Sequence, residues 1–299
     1  VTASAGRLGT RGGRPSTIGR EPRLGRRGRQ RIELAGSWVI AVVAVLATLF
    51  PLYWLFLIST KKPVDAFRTP PDLIYVPDLS KYVAIWGEGD FAQAFLNSVL
   101  VVAMGVGLAL LLAIPAAYAI DRFRVPGARW LGLWLLLAYA IPEFLFVIPM
   151  YVLYQTIGLY DTQIGLALIY QVFAVPFAVW LLQAFFSEVP RDLGDAARVD
   201  GCTDLQSLLR IYLPLAAPGI AATAILIGVN MWNEVTIALS LTFDESRTVT
   251  IAVAGYRGYA ALRWQEMAAA AVTAVVPMVV FAALAQRYLV KGLTFGAVR

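Results

Sequence analysis

Residues 93–120 contain no Asp, Glu, Lys or Arg. A helix needs about 20 apolar residues to cross the ~30 Å hydrocarbon core of a bilayer, and this run is long enough. Five other runs share its character: 37–59, 130–156, 164–186, 216–241 and 268–289. Lipid offers no partner to a bare N–H or C=O, so a spanning segment must satisfy its own backbone. Helices do that within one segment. The chain is therefore predicted to be an all-α membrane protein with six transmembrane helices. Its balance of 59% hydrophobic to 15% charged residues in 299 agrees, being far from that of soluble domains.

The polar residues exclude several chemistries. There is no histidine and only one cysteine, Cys202. An internal disulfide, a multi-cysteine metal site and the usual imidazole base are all ruled out. No G-x-x-x-x-G-K-[ST] stretch occurs, so the chain has no P-loop to cradle nucleotide phosphates. No nucleophile motif points to an enzyme.

Lys and Arg set the orientation of membrane spans. With six spans, one side collects 18 of the 25 basic residues and the other seven. The richer side holds the tail 1–35, with nine arginines, the connections 121–129 and 187–215, and the C-terminal end. Both termini are thus expected to be cytoplasmic. The Gly/Arg-rich stretch 1–35 lacks apolar periodicity and reads as a disordered tail, suited to anionic lipid rather than nucleic acid. The first span reads as an uncleaved anchor.

Segment 187–214 interrupts the apolar pattern. It carries eight charges: Glu188, Arg191, Asp192, Asp195, Arg198, Asp200, Asp204 and Arg210. At roughly 2.5–3.5 kcal/mol per charge at mid-bilayer, burying it in lipid would cost over ~20 kcal/mol, so it lies outside the membrane. Ser187 and Pro190 suit a helix start, and Asp192 and Asp195 suit its first turns. Gly201 suits a C-terminal stop, and Thr203 caps a second helix that Pro214 helps to end. Leu205, Leu208, Leu209 and Tyr212 recur at helical spacing and form an apolar face. Ala196 and Ala197 leave a bare patch for a neighbour. The two expected helices thus meet at a glycine elbow.

Within this segment Asp195-Ala196-Ala197, three residues, Gly201, nine residues, Ile211-x-Leu213-Pro214 resembles the EAA loop of bacterial ABC importer permeases, with Asp195 where the family usually has Glu. The resemblance extends over about 36–299 and is to the carbohydrate type, the maltose permease G-like inner membrane component of binding-protein-dependent systems. Asn97-Ser98, Ala116-Ala117-Tyr118-Ala119 with Arg122, Gly158-Leu159, Trp180-Leu181-Leu182, Trp232-Asn233-Glu234 and the stretch Gln286–Val298 carry it. It implies the type I importer permease fold: a transmembrane permease domain over 36–290 with a coupling loop at 187–214, and cytoplasmic tails at 1–35 and 291–299. It implies ATP-driven import of a sugar or oligosaccharide across the bacterial cytoplasmic membrane by alternating access. Asp195, Ala196, Ala197, Gly201, Ile211, Leu213 and Pro214 would form the ATPase contact. The implied partners are a second permease subunit in a heterodimer, two ATPase subunits that bind ATP and Mg, and an extracytoplasmic substrate-binding lipoprotein. The chain itself carries no cofactor.

Polar groups inside spans are candidates for the solute path. Glu143 sits midway along the third run, beside Pro142. Asn230, Asn233 and Glu234 fall three and four apart in the fifth, on one helical face, with Trp232 pointing elsewhere. Asn, Glu and aromatic side chains suit sugar hydroxyls and sugar faces, yet they serve equally as polar clamps between helices. The alternatives are import of another solute, such as glycerol phosphate or a polyamine, and ion-coupled transport. The latter predicts an internal repeat, and none is visible.

Overall fold

A computed structural model describes residues 26–70, 72, 74–87, 90–123, 125–256 and 263–295. The chain divides into two units, Val1–Pro51 and Leu52–Arg299. In the first, the described residues belong to one helix, α1 (Arg26–Thr60), which runs on into the second unit. Its Leu34–Thr60 portion is long and apolar enough to cross a membrane. The helix begins inside the 1–35 stretch expected to be disordered; residues 1–25 lie outside the described residues.

The second unit continues with α2 (Pro63–Ala66), α3 (Ser80–Gly87), α4 (Phe91–Arg122), α5 (Ala128–Ala140), α6 (Phe144–Ile157), α7 (Gln163–Ile169) and α8 (Gln171–Ser187). Outside the apolar runs follow α9 (Arg191–Val199), α10 (Asp204–Ser207), a π-helical turn (Leu208–Tyr212) and α11 (Leu213–Leu215). Then come α12 (Ala217–Asn233), α13 (Thr236–Leu241), α14 (Val249–Gly255) and α15 (Trp264–Phe295), the last reaching into the expected tail 291–299. No strand occurs among the described residues. Three helices are long and apolar enough to span a bilayer, or up to six if each bent pair counts as one span.

α4 is the hub, packing on α7, α8 and α12, while α15 packs on α12. Ala109, Ala113 and Ala117 lie four apart on α4 and are fully buried. Small side chains at that spacing let helix backbones approach closely where lipid supplies no hydrophobic drive. Ala178, Leu182 and Phe186 of α8, also fully buried, are part of the same core.

The expected third, fourth and fifth runs are not single straight helices. α5 and α6 meet at 90°. The cause is local: Ile141 precedes Pro142, proline disfavours a helical residue before it, and Ile141 is extended with ψ 127°. α7 and α8 bend by 47° at Tyr170. α12 stops at Asn233, and Glu234 is extended with ψ 133°.

Candidate functional site

Two regions gather the predicted site residues. The first is the charged segment after α8. Pro190, not Ser187, is the N-cap of α9, because Ser187 still belongs to α8 and its Oγ donates to Ala184 O at 2.7 Å. Gly201 has φ +83°, the left-handed turn that a glycine adopts at little cost. Thr203 then caps α10 in a full capping box: its Oγ1 accepts from Gln206 N at 3.2 Å, and Gln206 Oε1 accepts from Thr203 N at 2.9 Å. Arg198 lies 3.7 Å from Asp195 and 3.2 Å from Asp204, joining the two helices across the elbow. These are exposed pairs, worth ~1 kcal/mol at most.

The expected apolar face is split. Leu208 and Tyr212 are buried, whereas Leu205 and Leu209 are exposed along with Leu193 and Val199. The π-helical turn carries one more residue per turn than an α-helix, which shifts the register between Leu205 and Tyr212. Pro214 stands next to the end of this helix, as expected: the helical stretch Asp204–Leu215 stops one residue later and meets α12 at 78° across Ala216. Of the expected small patch, Ala197 is buried and Ala196 exposed. The close approach occurs instead at Gly194, where a Cβ would fall 2.1 Å from the Tyr212 hydroxyl. Asp195, Ala196, Gly201 and Pro214 are exposed, and Ile211 and Leu213 half-buried.

The second region is a cavity of about 360 Å³ between the bent helices. It brings together Glu143 from the α5–α6 break, Asn230 and Asn233 from α12, and Glu234 from the α12–α13 break. Tyr139, Phe173 and Phe177 supply aromatic walls, with the Tyr139 and Phe177 rings stacked at 5.7 Å. Glu234 is fixed: its carboxylate accepts from Ile237 N at 2.6 Å and Ala238 N at 3.0 Å, the first free donors of α13, and from Tyr170 Oη at 2.9 Å. Because Glu234 lies beyond the end of α12, it does not share a helical face with Asn230 and Asn233; it reaches the same cavity from the turn. Asn233 donates to Val229 O at 2.9 Å. The side chains of Glu143 and Asn230 form no hydrogen bond among the described residues. Tyr170, at the α7–α8 bend, was not singled out from sequence, since a tyrosine in an apolar run carries no polar signal until its partner is known.

Trp232 does not line this cavity. It is buried with Nε1 donating to Ala274 O at 3.1 Å and its ring edge-on to Phe95, so it ties α12 to α15 and α4. Its place is in helix packing.

A third cluster forms where Asp161 latches the turn before α14. Its two oxygens accept N–H bonds from Phe243, Asp244, Glu245 and Ser246 at 2.8–3.0 Å. Partial burial alone would raise its pKa, but these four donors outweigh it and hold the carboxyl down at about 2. Asn97 donates to the carbonyls of Glu245 and Arg247, and Ser98 Oγ accepts from Val249 N.

Residues 105–295 match the family of binding-protein-dependent transport system inner membrane components. The chain belongs to this family. Among its relatives, the trehalose transport system permease protein SugB of Mycobacterium tuberculosis is 35% identical over 271 residues, covering 89% of this chain and 98% of that protein. The trehalose/maltose transport system permease protein MalG of Thermococcus litoralis is 29% identical, with 87% and 94% covered. Among solved structures, a chain of a bacterial ABC transporter involved in import of the acidic polysaccharide alginate superposes with TM-score 0.74 at 21% identity, covering 90% of this permease and 99% of that chain. The inner membrane component is thus an integral membrane protein with the ABC importer permease fold.

Proposed function

We propose that this inner membrane component is one of two permease subunits of an ABC importer for a sugar or oligosaccharide. Relatives whose names specify trehalose, maltose and diacetylchitobiose support the solute class. In this reading both termini face the cytoplasm, and an extracytoplasmic binding protein delivers the sugar. Two ATPase subunits bind ATP and Mg and close beneath the membrane. The chain itself makes and breaks no covalent bond. The 190–214 segment receives the ATPase motion, and the cavity of Glu143, Asn230, Asn233 and Glu234 lies on the solute path.

The observation that carries this reading is the elbow. Leu193, Val199, Leu205 and Leu209 are exposed on a segment too charged to sit in lipid, and solvent-exposed apolar side chains gathered in this way mark an interaction surface. The two elbow helices are held by a left-handed glycine and a capping box, and Tyr212 seats them on the membrane helices. Replacing Gly201 by valine leaves the space unobstructed, since no atom lies within 4 Å of an added Cβ. It penalises only the left-handed backbone, by roughly 1–2 kcal/mol or more for a β-branched residue. Reconstituted with its partners, Gly201→Val is expected to insert normally and to lose uptake of trehalose or maltose while ATP hydrolysis persists. Unchanged uptake would overturn the coupling role.

A further inference from the structure

We infer that the cavity between the bent helices is a charge filter: it admits neutral or amine-bearing sugars and disfavours sugars carrying carboxylate, sulfonate or phosphate. The inference rests on the cavity lying on the solute path and adds the substrate's charge class to that reading.

Two carboxyl groups reach the cavity from two helix breaks, and none of its lining residues is Lys or Arg. Glu234 is held by the amide donors of α13 and by Tyr170, so its position is set by the fold rather than by a solute. Glu143 is not held in this way. It stands at the start of α6, half-buried, with no side-chain hydrogen bond there, and Asn230 across the cavity has its amide free as well. A sugar entering here meets one acceptor-only group, one amide that both donates and accepts, and aromatic walls for its apolar faces. A hydroxyl or an ammonium can donate to Glu143, whereas an anionic substituent cannot. A carboxylate roughly 6 Å away, at an effective dielectric of about 20, changes the occupancy of a unit charge by a factor of ten or more. The cavity, at about 360 Å³, has the size of a small-molecule site of ~300–1,000 Å³.

The test measures the field directly. In the assembled transporter in proteoliposomes, with Cys202→Ser and partners free of reactive thiols, Asn230→Cys is reacted with a cationic and an anionic methanethiosulfonate of similar size. A small thiol in solution serves as the reference. The cationic reagent is expected to be favoured about tenfold, and Glu143→Gln is expected to remove most of that preference. Glucosamine and glucose are expected to slow the reaction, and glucuronate to leave it unchanged. Phe173→Cys repeats the measurement should Asn230→Cys fail to assemble. If neither position reacts with either reagent, the cavity is not on a water-accessible path, and the pathway reading falls along with the filter. Equal rates for the two reagents, protection by glucuronate equal to that by glucosamine, or a cation preference that survives both Glu143→Gln and Glu234→Gln would each overturn the filter alone.

Discussion

Arg122 ends α4 with a side chain only 6% exposed. Its Nη2 donates to the carbonyls of Phe186 and Val189 at 2.5 and 2.6 Å, capping the C-terminal end of α8, and its guanidinium lies 4.5 Å from the Tyr212 ring. Nε stands 2.9 Å from Asp121 Oδ2 without hydrogen-bond alignment, so that contact is an ion pair alone. One planar cation therefore joins α4, α8 and the π-helical turn. Lysine keeps the charge but cannot form the fork or stack flat on the ring. Arg122→Lys is expected to lower stability by about 2 kcal/mol, the scale of a charge-assisted bond with its packing, read as a drop in thermal midpoint in nanodiscs. Asp161 gives a second expectation at this scale. Its pKa is depressed in the fold to about 2 from 3.8, so its stabilisation is complete above pH 4 and fades as pH falls toward 2. The shift corresponds to about 1 kcal/mol once discounted for partial exposure. Between pH 5 and 2.5 the native chain should lose roughly two-thirds of that amount more stability than Asp161→Asn does, the rest going only at lower pH. Parallel melting curves would refute the latch.

At the scale of elements, sequence legibility follows the range of the interaction. The six apolar runs, the left-handed Gly201 and the Thr203 cap were all readable, because bilayer thickness, backbone sterics and a three-residue hydrogen bond are local causes. The breaks were read less well. Pro142 carried a signal for the α5–α6 bend, but nothing near Glu234 marks the end of α12, since its cause is a side chain turning to cap the following helix. Spacing therefore put Glu234 on one face with Asn233, where the fold puts it in a turn. Trp232 shows the same limit: tryptophan suits both a sugar face and a helix contact, and only the Ala274 carbonyl and the Phe95 ring assign it to helix packing. The convergence of Glu143 on Glu234, and the roles of Tyr170 and Asp161, depend on tertiary neighbours that no local pattern records. The capping box offers the corresponding test. Thr203→Ala removes one acceptor and leaves Gln206 N unpaired, a loss of about 1 kcal/mol. Faster amide exchange is expected at Gln206 and through the π-helical turn, with α12 unaffected. Unchanged exchange across 203–212 would show that Tyr212 alone holds the elbow.

At the scale of the molecule, the basic residues divide 18 to seven between the two sides that six spans define, and the proposed topology puts the elbow with the 18. That side also holds Arg122, buried where α4 meets the elbow. The opposite side holds the Asp161 latch. The chain carries its own reporter of this asymmetry, since Cys202 is its single cysteine and sits half-exposed beside Gly201. In intact spheroplasts a membrane-impermeant maleimide is expected to leave Cys202 unmodified, and in inverted membrane vesicles to modify it. With Cys202→Ser, a cysteine introduced at Glu245, on the latched turn, should show the opposite pattern. The Asp161 carboxylate meets only the backbone N–H of Glu245, so this substitution keeps the latch. Labelling of Cys202 from outside would invert the topology. It would then remove the elbow from the reach of cytoplasmic ATPases, since a segment with eight charges cannot cross back through ~30 Å of hydrocarbon to meet them.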